Sequence, residues 1–283
     1  MRRSAVRRRG VAVAGVLAGA LLAGCSGSGG EADGDDVAAA VSAEAEASAS
    51  AVAGEGVGAG AVALSPEGLE AVALVDGDVV AGGTVTAQVS DRDFPNAGTV
   101  AAAKAVCTPL AAVQAGSVLG APVSVVRRMW IGPQETSEGD LGADPSEKEV
   151  ATAALDATTS FVSLASYAQE SAAKAVMAGI GRAVRECAGG FVYTVAGKDR
   201  VKTVKVEKTG APAGTGGADE VIAATLTVAV DGVRGPVRVV VVREGGTVGY
   251  FPATNPASQT TGDAFTLPAA LIQAQLTQLA EAG

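Results

Sequence analysis

The sequence predicts an α+β domain, a mostly antiparallel β-sheet with helices packed on it, pinned by one disulfide. Three observations carry that prediction. Between Phe191 and Phe251 short β-branched runs follow one another, with turn pairs at Asp231-Gly232 and Gly245-Gly246. Ahead of them, Val176, Ile180 and Val184 recur at four-residue spacing with Ala173 and Met177 beside them, which is one face of a helix. A second such face, Leu271, Ile272, Leu276 and Leu279, lies between Pro268 and Ala282. Helices grouped around a block of strands favour α+β over an alternating parallel fold.

The elements follow in order. Ser65-Pro66-Glu67 starts a helix, with Ser65 as N-cap and Pro66 at the first position, and Asp76-Gly77-Asp78 ends it. Thr84 to Ser90 alternates like a strand. A short helix is expected over Ala101–Ala115, carrying Cys107, broken at Pro109 and ended by Gly116. Pro122 to Ile131 is β-branched and closes on Met129 and Trp130, which reads as a strand. Gly132 to Glu149, with two prolines, reads as a long acidic loop, and Thr158 to Ala165 as the next strand. Ser166-Tyr167-Ala168-Gln169 has capping-box spacing and opens a helix to about Glu186, with Arg182 and Arg185 in its last turn, where cations suit the dipole. The remaining strands are Phe191–Val195, Val201–Glu207, Val221–Val230, Pro236–Arg243 and Thr247–Phe251.

The first 61 residues have a different composition. Arg2, Arg3, Arg7, Arg8 and Arg9 precede an apolar run from Val11 to Ala23, and Leu22-Ala23-Gly24-Cys25 follows. Those 13 apolar residues make a helix of about 20 Å, short of the ~30 Å hydrocarbon core. The stretch resembles a bacterial lipoprotein signal peptide closing in a lipobox. The resemblance implies cleavage between Gly24 and Cys25 and lipid attachment at the Cys25 thiol. An uncleaved anchor or a plain secretory signal is the alternative. Residues 26–61 are Gly, Ala, Ser, Glu and Asp with almost no large apolar groups, so they cannot bury a core and read as a disordered tether. A 36-residue coil of this kind spans roughly 33 Å. The organisation is therefore signal peptide 1–24, lipidated Cys25 and tether 25–61, and one domain 62–283.

Charge and composition then exclude whole classes. The full chain has net charge -9, but its leader holds five of the 21 basic residues and no acid, so residues 25–283 carry 16 bases against 30 acids, net -14. Such a chain repels nucleic acid and anionic lipid headgroups, and no basic stripe with interleaved aromatics offsets this. The chain has no histidine, which removes His-dependent triads, His-ligated metals and imidazole switches. With Cys25 lipidated, Cys107 and Cys187 remain; in an exported chain the pair reads as a disulfide, the alternative being two buried free thiols. No CxxC spacing supports redox chemistry.

Few side chains point to chemistry. Ser171-Ala172-Ala173-Lys174 and Lys208-Thr209-Gly210 match two motifs of penicillin-binding enzymes, but only 34 residues separate the lysines, too few for the helical domain between them. Glu135, Glu138, Asp140, Asp144, Glu147 and Glu149 crowd one loop in a spacing that fits no EF-hand, and no metal is expected there. Gly210–Gly217 lacks the Lys-Ser/Thr of a phosphate loop and reads as a hairpin loop. Arg127 and Arg128 beside Trp130 make either an anion or aromatic cleft or an edge that covers apolar surface. Trp130, Phe191 and Tyr193 read as packing.

One order of elements carries a family resemblance. A cysteine opens a short helix, Cys107-Thr108-Pro109-Leu110-Ala111-Ala112-Val113; a Trp strand follows, Val125-Val126-Arg127-Arg128-Met129-Trp130. Then Ser163-Leu164-Ala165-Ser166-Tyr167 leads through a helix to Ala183-Val184-Arg185-Glu186-Cys187. This arrangement is similar to the PknH-like extracellular domain family, sensor domains of actinobacterial Ser/Thr kinases and related lipoproteins. The resemblance covers roughly residues 62–283 and implies an envelope-facing cleft with an unknown ligand and no catalytic residues. The expectation is a non-catalytic lipoprotein on the extracytoplasmic face of the cell membrane, held there by its lipid, without a cofactor. Its ligand is an unknown small molecule, lipid or protein. A lipid or glycolipid carrier of the envelope and a tethered protein-interaction module are the alternatives.

Overall fold

The computed structural model describes residues 63–87, 94–230 and 232–281. The leader, Gly24, Cys25 and the tether lie outside the described residues, as does the end of the strand expected at Thr84–Ser90. The described chain folds as α1 (Pro66–Ala71), β1 (Thr84–Thr86), β2 (Val100–Ala102), α2 (Thr108–Gln114), β3 (Ser124–Gln134), α3 (Glu147–Ala154) and β4 (Ala157–Ser166). It continues as α4 (Glu170–Glu186), β5 (Phe191–Val195), β6 (Asp199–Lys208), β7 (Glu220–Val230), β8 (Val233–Glu244), β9 (Thr247–Thr254), α5 (Pro256–Thr261) and α6 (Ala269–Glu281). The nine strands form one sheet in the order β1-β3-β4-β9-β8-β7-β6-β5-β2, and every neighbouring pair is antiparallel. The fold is α+β, as the sequence predicts.

Both faces of the sheet centre are buried. Along β8, Val237, Val239 and Val241 join one core cluster with α2 and α4, while Val240 and Val242 join a second with α1 and α6. Period-two alternation sends neighbouring residues to opposite faces, so a strand covered on both sides reads as a continuous valine run. The α2–α4 core holds Leu110, Met177, Ile180, Leu226, Tyr167 and Tyr250. The α1–α6 core holds Leu69, Trp130, Leu164, Phe251, Leu271 and Ile272. Trp130 is buried, with its indole Nε1 donating to Gly82 O at 3.1 Å. Gly83 beside it has φ +94°, and any side chain there would strike the Trp130 ring and the Ile131 carbonyl. Gln275 of α6, fully buried, donates to Val72 O at 2.7 Å and accepts from Leu74 N at 3.3 Å, tying the end of α1 to a helix 200 residues on.

Two helical connections cross the α2–α4 face. The chain passes from β2, at one edge, through α2 to β3, next to the other edge, and later from β4 through α4 to β5. The Cys107–Cys187 disulfide joins the start of the first crossing to the end of the second, with Cα atoms 5.9 Å apart and both residues buried. Phe191 and Tyr193 pack in the same core, as expected.

Four local expectations are corrected. The segment 101–115 is not a single helix: Val100–Ala102 pairs with β5, and α2 starts only at Thr108, because Pro109 sits in its first turn, where a missing N–H costs nothing. The loop expected from Gly132 to Glu149 is shorter. β3 runs on to Gln134 past a register shift, and α3 begins at Glu147 under a capping box in which Ser146 and Glu149 bond each other's backbone. No capping box forms at Ser166, which ends β4 and whose Oγ accepts from Leu64 N at 2.8 Å; α4 begins at Glu170. The short helix α5, capped by Asn255 with Pro256 in its first turn, falls where the sequence suggested none.

Two predictions follow from this packing. The 80-residue separation of the cysteines gives a chain-entropy stabilisation of about 4.5 kcal/mol, of which measured bridges deliver about 2–4. Cys107→Ala/Cys187→Ala should therefore unfold at lower denaturant by that amount with an unchanged far-ultraviolet spectrum; equal stability would contradict the pin.

The second concerns the chain's three tyrosines, Tyr167, Tyr193 and Tyr250, all buried. Burial pushes the Tyr167 and Tyr193 phenols up to about 12 and Tyr250 well above its ordinary value. The Tyr167 hydroxyl donates to Leu119 O at 2.6 Å, leaving its oxygen to accept from the Tyr250 hydroxyl at 2.9 Å. Raised phenol values stabilise the fold fully below the unfolded value near 10, and that stabilisation is lost as pH rises through the folded values. Spectrophotometric titration should show no tyrosinate near pH 10.5 until the protein unfolds; a phenol titrating near 10 in folded protein would contradict it.

Candidate functional site

The groove with the chemistry of a site lies between the second half of α4, the end of β6 and the start of β7. The inward residues of α4, Ala173, Met177, Ile180, Ala183 and Val184, meet the sheet. Arg182 and Arg185 follow on its flank, in the last turns, where the helix dipole favours cations. Lys208 pairs with Ala224 in register and lies two residues beyond core-facing Val206, so it shares the α4 side of the sheet. Gly181 lies between them: a Cβ added there would be in ordinary contact, 3.6 Å, with the Arg185 guanidinium and the Ile222 side chain. The resulting groove holds about 420 Å³, with Met177, Val184 and Ile222 as an apolar floor and Arg182, Arg185, Lys208 and Glu220 around it.

Its electrostatics depend on a neighbouring cluster. Arg243 of β8 is buried and donates from Nη1 to Glu170 at 3.2 Å, to Asp219 at 2.8 Å and to Gly245 O at 3.0 Å. Glu220 stands 3.6 Å from its Nε. Glu170 also takes Lys174 at 2.7 Å. The carboxylates nearest the groove are thus already engaged, and among the described residues Arg182, Arg185 and Lys208 form no ion pair. The Gly245 N–H, at 2.9 Å, and the Arg243 charge hold the Asp219 carboxyl below its usual range. Burial and the Asp219 charge push Glu244 up. Three unpaired cations over an apolar floor can take an anionic group with an apolar body.

A larger hollow, about 530 Å³, lies over α3 and is lined by Thr136, Ser146, Glu149, Asp156 and Thr261 among others. Most of its carboxylates and hydroxyls are already bonded, and Lys148 is the one cation in its lining. Thr136 donates to Asp156 at 2.5 Å, Asn255 donates to Asp156 at 2.8 Å, and Glu149 closes the Ser146 cap. The open cations make the smaller groove the better site.

The residues singled out in the sequence are dispersed. Ser171 bonds Gln169 at 3.3 Å while Lys174 is held by Glu170, so serine and lysine make no pair. Lys208 ends β6, and Thr209 N bonds Ala223 O as the chain leaves for the 210–217 loop. Of the acidic residues, Glu135 accepts from Thr158, Asp140 from Ser137 and Glu149 from Ser146. No group of three or more acidic or cysteine side chains among the described residues is placed to hold a metal. Arg127 and Arg128 do not share a cleft: they face opposite sides of β3. Arg128 is buried, bonded to Leu74 O at 2.9 Å and Glu70 at 2.5 Å, and Arg127 lies 5.2 Å over the Phe94 ring. The sequence shows Arg182 and Arg185 as terminal cations but not Lys208 beside them, since only sheet register joins them.

No family model matches the chain, and no curated protein does. Among solved structures it is similar to the extracellular domain of PknH from Mycobacterium tuberculosis, with TM-score 0.43 and 12% identity over 78% of this chain and 97% of that one.

The Arg243 cluster sets an acid-side expectation. A depressed Asp219 value gives stabilisation that is present above the unfolded value near 3.9 and lost as pH falls through the folded one. Asp219→Asn should flatten that part of the acid limb in denaturant unfolding. Arg243→Ala should cost about 3 kcal/mol, because it strips the shared cation from several carboxylates; a loss within a few tenths of zero would contradict the cluster's role.

Proposed function

We propose that this chain is a lipid-anchored extracytoplasmic lipoprotein whose domain binds or senses an envelope ligand without chemistry. The α4–β6–β7 groove is its binding site. The observation that carries this reading is the set of three unpaired cations, Arg182, Arg185 and Lys208, over the floor of Met177, Val184 and Ile222. In a chain this acidic, cations left without carboxylates create a local positive field suited to an anion. The Leu22-Ala23-Gly24-Cys25 sequence supports export and a lipid on Cys25, and the disulfide accords with an oxidising compartment. Among the described residues no helix is long and apolar enough to cross a membrane; the assignment of the anchor to Cys25 rests on the Leu22-Ala23-Gly24-Cys25 sequence. The non-catalytic reading rests on the lack of histidine and on the separation of Ser171 from Lys174. A lipid carrier would call for an apolar chamber between sheet and helices; there, Trp130, Tyr167, Tyr250 and Phe251 fill the space.

Two measurements test this. Cys25→Ser should shift the protein out of the membrane fraction or leave it unprocessed; unchanged retention and mass would remove the anchor. The fluorescent sulfonate 1-anilinonaphthalene-8-sulfonate should bind folded protein saturably, and about tenfold or more weaker to Arg182→Gln/Arg185→Gln/Lys208→Gln. Equal binding by that variant at an unchanged melting temperature would remove the groove from the account.

A further inference from the structure

The opposite face of the same end of the sheet carries a second concentration of cations, which the groove does not use. The helices α1 and α6 cover only part of that face. Their core takes Ala223 from β7 and Val240 and Val242 from β8, and no residue of β5 or β6. The register then sets out what lies beyond them. Thr194 stands opposite Arg200; Val192, Lys202, Ala229 and Arg234 form one row across β5, β6, β7 and β8. Lys205, Thr227 and Pro236 form the next row, and Glu207, Thr225 and Arg238 the one after. All of these point away from α4, because Thr203, Val206, Leu226, Val228 and Val237 between them are buried on its side.

This surface holds five cations, Arg200, Lys202, Lys205, Arg234 and Arg238, against one described carboxylate, Glu207, which takes Lys205 at 2.7 Å. Arg238 is engaged with Phe265 O and Thr225. Arg200, Lys202 and Arg234 are exposed and have no ion pair among the described residues. Like charges set across a sheet repel one another, and in a chain of net charge -9 carboxylates could have offset them. The residues between them are small or flat, Thr, Ala and Pro, so the long cationic side chains stand highest.

We propose that this face docks on an anionic lipid bilayer, fixing how the domain stands on the membrane that holds it. The occupant is chosen by charge complementarity and by position: on the anchored reading, on which this inference rests, the lipid of Cys25 keeps a bilayer at hand. Basic clusters of this size bind anionic headgroups through summed contacts that salt weakens. The α4 groove, on the other side of the sheet, is then turned away from the membrane and open to its ligand.

The test uses residues 25–283 carrying Cys25→Ser, so that no lipid contributes and loss of anchoring cannot be mistaken for loss of docking. The probes are phosphatidylcholine vesicles with and without phosphatidylglycerol. The protein should sediment with the phosphatidylglycerol vesicles at low salt and leave them at high salt. Arg200→Gln/Lys202→Gln/Lys205→Gln/Arg234→Gln should bind about tenfold or more weaker while keeping its melting temperature and its sulfonate-probe binding. The groove variant should still sediment. Independently of any variant, the vesicles should shield Lys202 and Lys205, but not Lys174, from amine acylation. No sedimentation at low salt, equal sedimentation of the sheet-face variant, or binding to dextran sulfate with none to vesicles would overturn the proposal.

Discussion

Two helical connections have to cross the same face of a nine-stranded sheet, and most of the structure follows from that constraint. β2 lies at one edge and β3 beside the other, while β4 and β5 are separated by four strands. Two helical connections therefore run over the same face, and their apolar sides must share one core. Cys107–Cys187 joins them at the β2–β5 end. It reduces the freedom of the unfolded chain where loop closure is most costly. It also fixes the last turn of α4, so Arg185, two residues before Cys187, stands at a set place against β6 and β7. Gly190, with φ +88°, turns the chain directly from the bridge into β5, where a side chain would strike the β6 backbone.

The parts of the fold legible in the sequence are those with long periodic signals. The β5–β9 meander was readable because its strands are long and its turns hold glycine. The helix α4 was readable because Val176, Ile180 and Val184 repeat a helical period. Short elements failed for physical reasons. Val100–Ala102 is too brief to show alternation, and only its pairing with β5 makes it a strand. The helix α3 is alanine-rich with a single buried residue, Ala153, so its periodicity is faint, although Ser146 and Glu149 carried its capping signal. The helix α5 has only six residues, so Asn255-Pro256 caps a segment too short to show a period. The Arg243 cluster was out of reach, since Glu170, Asp219 and Arg243 meet only through tertiary packing.

Charge distribution links fold to function more closely than any motif does. Arg243 collects Glu170, Asp219 and Glu220, and this leaves Arg182 and Arg185 of α4 free. On the other side of the sheet, register alone sets Lys202 and Arg234 in one row. The two cationic surfaces are separated by the thickness of the sheet, so one can meet a soluble anion while the other meets a charged plane. An acidic net charge is compatible with both, because anion binding depends on the local field rather than on the sum.

The account depends most on a chain that is exported and then pinned across its crossings. Non-reducing peptide mapping by mass spectrometry, on protein isolated from the membranes of its own cells, tests this directly. The account requires an N-terminal peptide that begins at Cys25 and carries a lipid mass, together with one cross-linked peptide pair joining Cys107 to Cys187. An intact leader, or free thiols at both Cys107 and Cys187, would contradict it.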